Sequence, residues 1–303
     1  MIPEFPKFKL LELSDYQDIQ KMISQFPPYS DFNFISMWVW NINNEITISL
    51  LHNNLVLCFT DYITGKPFYM FLGANKANET AKDLIDLSIK NDLPPILRLI
   101  PEVSVQNINR DMFEVLEDRD NFDYIYNIEE LRDLRGGKFS SKRNDFNSFV
   151  TKFPKAEARV ISLTDPRIVQ GILKLAEKWS NIKSEKGEVA SHDIVAIQRL
   201  LDSAHMLDLV TIGVFMDDTL VAFFVNELLH AEFVLAHLMK ADMSIDRGLY
   251  AFLIKKSAEI LSTFHKKFIN YEQDLGIESL RIAKSRLNPV SFLKKYTIRY
   301  SKN

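Results

Sequence analysis

The chain has 303 residues, 47% of them hydrophobic, and a formal net charge of -3. A chain of this length can bury a large core, and a prior of roughly 150 residues per domain predicts two domains. The small negative charge argues against a generally nucleic-acid-coated surface, so we expect no DNA partner, although a local basic patch is compatible with it. The single cysteine excludes an internal disulfide and is typical of a reducing compartment.

The N-terminus and the apolar segments predict where the protein resides. The sequence "MIPEFPKFKLLEL" lacks a basic region followed by an apolar stretch, which argues against a secretory signal. No segment approaches the ~18 uncharged apolar residues that a membrane span needs. We therefore expect a cytoplasmic protein without integral membrane contact.

The first half of the chain begins with a predicted strand and an amphipathic helix. In residues 11–26, Ser14 is a predicted N-cap, and apolar residues follow it at helical spacing. The segment "ITISLLHNNLVLCFTDYITGKPFYMFLG" then predicts three strands with turns at Asn53-Asn54 and Gly65. A predicted helix over about residues 79–90 follows this meander.

The second half repeats this order. Residues 159–179 contain an extended segment, Asp165 as predicted N-cap, and Pro166 at the first helical position. The segment "LVTIGVFMDDTLVAFFVNELLHAEFVLAHLMK" predicts a second three-stranded meander, followed by a helix over about residues 247–264.

Both halves therefore have the predicted order strand, helix, meander, helix, strand. The simplest interpretation is an α+β fold made by tandem duplication, in which each domain is a mostly antiparallel sheet flanked by helices. We place the domains at residues 1–135 and 136–303 and expect the active site in the second.

Acidic residues follow the last predicted strand, in the segment "INYEQDLGIESLRIAKSRLNP". Glu272 and Asp274 come just before Gly276, a predicted turn position, and ligands usually bind at the carboxyl ends of strands in open α/β sheets. On a continuing strand, Asn270 and the two acids share one face. Acyl transfer to an amine needs a base for the ammonium, so we predict Glu272 and Asp274 as catalytic residues.

Three cations follow these acids in a predicted helix over residues 277–287: Arg281, Lys284 and Arg286. The alternative to catalysis is that the acids pair with Arg281 or Lys284 in a structural network, which also perturbs pKa values.

A basic segment lies at the start of the predicted second domain. In residues 138–153 four phenylalanines mark one face of a predicted helix, and Lys138, Lys142 and Arg143 lie on another. Arginine offers a planar fork for phosphate and lysine a mobile charge, so this face suits a tRNA acceptor end, a nucleotide or an anionic head group. The alternative is a solvated helix face.

Two sequence blocks resemble a known family. "FDYIYNIEELRDLRGGKFSSKRNDFNSF" and "NYEQDLGIESLRIAKSRLNPVSFLKKY" are similar to the blocks of the phosphatidylglycerol lysyltransferase C-terminal-like family. The resemblance covers nearly the whole chain. It implies two GNAT-like acyltransferase domains and kinship with enzymes that move an aminoacyl group from charged tRNA. Lysyl-lipid synthases of this family usually carry a large membrane-spanning part that this sequence does not contain, which favours a small-molecule, peptide or protein amine as acceptor.

Further candidate residues come from these blocks and, for Arg247 and Gly248, from the start of the predicted helix over residues 247–264. Predicted to bind substrate are Asn270, Arg281, Lys284, Tyr124 and Tyr126. Predicted to bind phosphate or tRNA are Lys138, Lys142, Arg143, Asn144, Arg247 and Gly248.

The donor is predicted from the second helix that follows a meander. Acyl-CoA enzymes of this fold usually hold the pyrophosphate at a glycine-rich helix N-terminus. Here Arg247-Gly248 is the only such candidate, and a second glycine is missing. Acyl-CoA is therefore less favoured than aminoacyl-tRNA, and Gly248 has the alternative role of allowing close packing.

Three functional classes stay open on this basis: an aminoacyl- or acyltransferase acting on an amine or hydroxyl, an acyl-CoA N-acyltransferase, and a non-catalytic binding protein. The histidine spacing does not match a zinc site, and we predict no metal and no firm cofactor. His237 is predicted to be a core-facing strand residue.

Overall fold

A computed structural model of the protein describes residues 1–60, 65–185 and 191–301, with the side chains of residues 182–185 and 191 outside the description. The chain forms two compact units. The first contains Met1–Asp123, Gln273–Glu278 and the segment that starts at Phe292, and the second contains Tyr124–Glu272 and Ser279–Ser291. The chain leaves the first unit earlier than the predicted boundary at residue 135 and later returns to it twice.

The first unit contains most of the shorter elements. Its helices are α1 (Tyr16–Ile23), α2 (Phe34–Trp40), α3 (Ala77–Lys90) and α4 (Glu102–Val105). Its strands are β1 (Lys9–Leu10), β2 (Thr47–Leu51), β3 (Asn54–Thr60), β4 (Pro67–Leu72), β5 (Ile96–Pro101), β6 (Phe113–Glu117) and β14 (Lys295–Tyr300).

Two antiparallel sheets organise the first unit. Strands β1 to β4 lie in sequence order, and β5, β14 and β6 form a second sheet in which the C-terminal strand β14 is central. Left-handed backbone at Asn53 makes the turn before β3, as predicted, and Gly65, just before β4, also has left-handed backbone; the rest of its predicted turn lies outside the described residues. The predicted N-cap at Ser14 is wrong: Leu13–Asp15 forms a 3-10 turn, and α1 begins after Asp15, whose carboxylate accepts the Glu12 N–H at 2.9 Å.

The second unit has longer helices and strands. Its helices are α5 (Ile128–Asp133), α6 (Ser140–Lys152), α7 (Pro166–Glu185), α8 (Ser191–Ser203) and α9 (Leu249–Ser262). Its strands are β7 (Asp123–Asn127), β8 (Glu157–Ile161), β9 (Val210–Met216), β10 (Thr219–Leu228), β11 (Phe233–Ala241) and β12 (Phe268–Asn270). Helix α10 (Glu278–Ser285) and strand β13 (Ser291–Leu293) lie where the chain passes between the units.

Strands β7, β12, β11, β10, β9 and β8 lie in this order in one sheet, and among their described pairings β11 with β12 is parallel and the other four are antiparallel. A buried core lies against this sheet and includes Phe139, Phe149, Phe252 and Tyr271. Burying side chains of this size contributes about 1.5–3 kcal/mol each, which is why the phenylalanine stripe predicted for α6 faces inward.

The predicted duplication is confirmed by the order of elements. The order β1, α1, α2, β2, β3, β4, α3, β5 in the first unit recurs as β8, α7, α8, β9, β10, β11, α9, β12 in the second. The last strand of the two copies pairs differently. β5 pairs with β14 in a separate sheet, whereas β12 pairs with β11 over three residues. None of the described helices is both long and apolar enough to cross a membrane.

Candidate active site

The parallel strands β11 and β12 of the second unit part after three paired residues. The last pair is Leu235 with Asn270, after which β12 ends and β11 continues to Ala241. Because a sheet opens at such a point beyond the carboxyl end of a strand, it is the favoured place for a ligand in this unit.

Glu272 lies two residues beyond the last pair. Its backbone has a φ of 56°, its N–H donates to the buried Asn270 Oδ1 at 2.7 Å, and its carbonyl accepts the Tyr124 N–H at 3.1 Å. The left-handed residue ends the strand alternation, so the prediction that Asn270, Glu272 and Asp274 share a strand face is wrong. Asn270 and Glu272 are instead joined through the backbone, and the Glu272 side chain is half-buried.

Asp274 belongs to the first unit and has a different environment. Its side chain is fully buried, and its oxygens accept from Arg119 at 3.3 Å and from the Gly276 N–H at 2.9 Å. Gly276 has a φ of 72°, as its predicted turn position requires, and a Cβ there would lie 2.9 Å from Asp120. The contacts of Asp274 are those of a structural carboxylate that shapes this turn.

The predicted substrate-binding tyrosines are buried in the second unit. Tyr124 and Tyr126 have no exposed surface, and Tyr126 packs on Tyr271 at a ring-centre distance of 4.9 Å. The Tyr126 hydroxyl donates to the Lys284 carbonyl at 2.8 Å, and the Lys284 ammonium donates to the Tyr271 carbonyl. Burial raises the pKa of Tyr126, which keeps it a neutral donor. Arg281 is half-buried on α10.

The predicted basic segment is partly engaged in local contacts. Lys138 pairs with Glu130 at 2.8 Å, and Arg143 donates to the carbonyls of Leu134 and Gly136 at the end of α5. Lys142 is half-buried and makes no hydrogen bond or ion pair with the part of the chain that the structure describes.

Three further residues extend this segment. Asn144 is exposed, and Arg135 is 87% exposed beside Asp133. Asn288, from the second sequence block, donates to the Lys138 carbonyl at 3.1 Å. The basic segment therefore contacts Asn288 of that block within the second unit.

The N-terminus of α9 is closed by an acid. The Gly248 N–H donates to Asp246 Oδ1 at 2.7 Å, and Asp246 also accepts from Lys152 at 2.6 Å. A Cβ on Gly248 would lie 2.5 Å from the Asp145 carbonyl oxygen, so glycine is required for helix packing here. Arg247 is 87% exposed and pairs with Asp145 at 3.6 Å. This geometry supports the packing alternative for Gly248 and places negative charge where a pyrophosphate would bind.

Sequence reasoning missed a buried pair on the second meander. His237 Nε2 lies 3.3 Å from Glu227 Oε2, and the side chains are 1% and 4% exposed. The prediction that His237 faces the core is confirmed. Its partner was not foreseen, although polar residues within the apolar strands "VNEL" and "VLAHLMK" were a visible signal.

Lys240 is a second buried charge on β11. Its ammonium donates to Asp193 on α8 at 2.5 Å and lies 3.6 Å from the ring centre of Trp179 on α7. The polar residues of β11 are therefore His237 at the bulge and Lys240 three residues beyond it.

A buried ion network in the first unit was also missed. The Lys295 ammonium contacts Asp31, Asp123 Oδ1 at 2.7 Å and Gln273 Oε1 at 3.1 Å. Ser30 donates to both oxygens of Asp123, at 2.7 and 2.8 Å, and Gln273 donates to Asp31 at 3.2 Å. The network joins all three chain segments of the first unit.

Burial and the neighbouring charges of this network shift the pKa values of Asp31 and Lys295. Burial, with the charge of Asp123, raises the pKa of Asp31 although Lys295 opposes the rise. Burial lowers the pKa of Lys295, but the charges of Asp123 and Asp31 outweigh it and the net direction is upward. Within the described ranges, no group of three histidine, cysteine or acidic side chains is placed to hold a metal ion.

Comparisons with known proteins agree with this architecture. The sequence matches the family profile described as phosphatidylglycerol lysyltransferase, C-terminal, over residues 25–299. No curated protein matches the sequence.

Three solved structures are similar to the chain. A conserved protein of unknown function from Bacteroides thetaiotaomicron VPI-5482 is 27% identical, with a TM-score of 0.84, covering 99% of this chain and 100% of that one. L-PGS from Bacillus licheniformis is 12% identical, with a TM-score of 0.64 and coverages of 100% and 94%. FemX is 8% identical, with a TM-score of 0.57 and coverages of 96% and 96%.

These findings confirm the predicted fold class, a tandem of two GNAT-like α+β domains. The family profile covers most of the sequence, which gives an acyltransferase-like protein. The chain belongs to the phosphatidylglycerol lysyltransferase C-terminal family.

Proposed function

We propose that the protein is an aminoacyltransferase that moves an aminoacyl group from charged tRNA to an amine or hydroxyl acceptor. The transfer takes place in the second unit, where β11 and β12 part. A lysyl group, which the family description names as the transferred group, is itself an aminoacyl group.

The closed N-terminus of α9 is the observation that carries the choice of donor. Helix N-termini bind phosphates because their free N–H groups and dipole favour negative charge. Here the Gly248 N–H already donates to Asp246, whose carboxylate repels a pyrophosphate. The acyl-CoA alternative therefore lacks its usual anchor, whereas an aminoacyl ester on tRNA needs none at this helix.

The basic segment supports contact with tRNA phosphates. Lys142, Arg135 and Asn144 lie on one surface segment of a chain whose net charge is -3, so attraction to an anionic partner is local. Lys138 and Arg143 hold the shape of this segment through Glu130 and the end of α5.

Glu272 is the proposed base that removes a proton from an ammonium acceptor. It is the half-buried acid of the second unit at the end of β12, and its backbone is fixed by Asn270 and Tyr124. A carboxylate held at the end of a strand by its backbone contacts is positioned to act as a general base.

The test of this function compares two donors. Bulk tRNA charged with radiolabelled amino acids is incubated with the protein and a peptide mixture, and label that leaves the tRNA for the peptides is measured. Acetyl-CoA labelled in its acetyl group is offered in parallel. We expect transfer from tRNA only. Transfer only from acetyl-CoA would select the acyl-CoA alternative, and none from either donor would select a non-catalytic protein.

Salt dependence tests the surface independently of catalysis. Affinity for uncharged bulk tRNA is expected to fall with salt, and Lys142→Ala is expected to reduce the slope by about one phosphate contact. Lys174→Ala, which removes an exposed lysine of α7 outside this segment, is the matched control. Equal slopes for all three proteins would contradict the proposed tRNA surface.

A further inference from the structure

We propose that Glu227 and His237 form the proton shuttle of the transfer reaction, taking the proton from the attacking nitrogen and delivering it to the leaving oxygen of the tRNA. This assignment rests on the proposed function. It adds a second proton acceptor to Glu272, because an ammonium acceptor must lose two protons before the amide is complete.

The pair owes its geometry to a β-bulge. Between β10 and β11, Val225 faces Leu238 and Asn226 faces Ala236, which leaves His237 as the extra residue. A bulge of this kind re-aims a side chain and is frequent beside active sites. Here it brings the imidazole of His237 to Glu227 on the neighbouring strand at 3.3 Å.

The position of the bulge matches the point where the sheet opens. Leu235 is the last β11 residue paired with β12, and His237 lies two residues beyond it. Glu272 lies two residues beyond Asn270, the last paired residue of β12. Both proposed proton acceptors therefore follow the last pair, His237 on β11 and Glu272 just beyond the end of β12.

A buried polar atom near the pair lacks a protein partner. Thr211 is 1% exposed, and its hydroxyl has no hydrogen-bond partner among the described residues. Thr211 faces Val225 across β9 and β10, and Glu227 follows Val225 by two residues on the same face. Because buried polar atoms are normally satisfied, an orphaned hydroxyl on this face indicates a place for a ligand group.

In the described part of the first unit, the corresponding strands carry no such pair. Its corresponding strands, β3 and β4, read "NLVLCFT" and "PFYMFL", and neither buries a charged side chain or a histidine. A histidine and a glutamate within buried strands are costly unless they satisfy each other. Their presence in only one of two duplicated meanders favours a chemical role over a packing role.

The transfer reaction balances when Glu272 removes the first nitrogen proton and the Glu227–His237 pair carries the second. Glu272 first takes a proton from the acceptor ammonium and releases it to solvent. The neutral amine attacks the ester carbonyl, forming the C–N bond. His237, with hydrogen on Nε2 donated to Glu227, accepts the second nitrogen proton at Nδ1. The imidazolium, stabilised by Glu227, gives this proton to the ribose oxygen as the C–O bond breaks, and the products are an amide and free tRNA.

The test uses variants that keep the shape of the pair. His237→Gln is expected to lower single-turnover transfer from charged bulk tRNA by about 10²–10⁴-fold, and Glu227→Gln by a smaller factor. Affinity for uncharged tRNA is expected to stay unchanged in both. His230→Gln, which alters an exposed histidine between the same two strands, is the control with wild-type activity.

Chemical rescue separates a proton-transfer role from a structural one. His237→Gly leaves a space for imidazole, and added imidazole is expected to restore transfer in this variant but not in Glu272→Gln. Full activity of His237→Gln, or a defect that imidazole does not restore, would overturn the proposal. If the wild type transfers nothing from charged tRNA, the proposed function fails instead, so the two failures are distinguishable.

Discussion

The meander of the first unit, β2 to β4, and the meander of the second, β9 to β11, have the same strand order but bury different polar side chains. Strands β2 to β4 bury Ser49 and Asn54 as their polar residues and no charged group, within the described chain. Strands β10 and β11 bury Glu227, His237 and Lys240. Because a buried charge costs free energy unless it is paired, its presence in one copy needs an explanation that the fold alone does not supply.

The buried charges of the first unit lie outside its meander and satisfy one another. Lys295 is enclosed by Asp31, Asp123 and Gln273, and together these four residues come from the three chain segments of the first unit. We infer that removal of buried charge lowers stability in the first unit and activity in the second. Four tests, which use five variants, sharpen that contrast and are ordered by expected effect.

Lys295→Met gives the largest expected change. It leaves the carboxylates of Asp31 and Asp123 buried without their ammonium, which costs about 3–5 kcal/mol in the free energy of unfolding. Urea unfolding measures the loss. Lys294→Met, which removes the neighbouring exposed pair with Glu117, is the control with little expected change. Equal urea midpoints for the two variants would show that the buried ammonium does not stabilise the first unit, which contradicts the contrast.

Glu272→Gln and Asp274→Asn test one acid from each unit. Glu272→Gln is expected to lower aminoacyl transfer by about 10²–10⁴-fold with little change in stability. Asp274→Asn weakens the bond to Arg119 and the Gly276 turn, so we expect a loss of about 1–3 kcal/mol in stability and a small effect on turnover. Thermal melts, measured together with the transfer assay, show which acid is catalytic and which is structural. The reverse pattern would make Asp274 the catalytic acid and Glu272 the structural one.

Features of the fold that depend on local patterns could be predicted from the sequence, whereas long-range contacts could not. The duplicated order of elements, the turns at Asn53 and Gly276, and the inward phenylalanines of α6 depend on local patterns, and all of them are found. Lys295 and Asp31 are 264 residues apart, so no local pattern connects them.

The Glu227–His237 pair escaped prediction for a different reason. Both residues are visible in the sequence, but their contact depends on a bulge that changes the pairing of β10 and β11 by one residue. Likewise, the strand alternation assumed for Glu272 ends at its own left-handed backbone. Periodicity predicts which side chains are buried, but it does not predict where the register changes.

Gly248→Ala gives the third largest expected effect, a loss of stability. The added Cβ would lie 2.5 Å from the Asp145 carbonyl oxygen and 3.0 Å from Phe149, so the start of α9 must shift. We expect a loss of about 1–3 kcal/mol in the free energy of unfolding, since overpacking in a filled site costs that much. Gly137→Ala, whose Cβ meets nothing within 4 Å, is the control. Unchanged stability with lost CoA binding would instead support the acyl-CoA alternative.

The smallest expected effect is that of Asp31→Asn on the pH dependence of the unfolding free energy. The folded pKa of Asp31 is raised above its ordinary value of 3.8, so the stability this group contributes is present below that value and is lost as pH rises through the folded pKa. Asp31→Asn removes this loss. We expect the difference in unfolding free energy, variant minus wild type, to increase from about pH 4 toward neutral.

The groups that face Asp31, namely Lys295 and Asp123, are intact in that variant. Unfolding curves of both proteins at several pH values measure the difference. Asp111→Asn, which changes an exposed acid of the same unit, is expected to show no such trend. A difference that falls with pH would mean that Asp31 is ionised and paired throughout.

The position of β14 constrains the order in which the protein can fold during synthesis. β5 and β6 are made early, but the strand that lies between them, β14, comprises Lys295–Tyr300 and is made after all of the second unit. The second unit has most of its chain, Tyr124–Glu272, available before then. Although nascent domains usually fold from the N-terminus onward, here the N-terminal unit is completed last, and a nascent chain that stops before Lys295 leaves its buried acids without their cation.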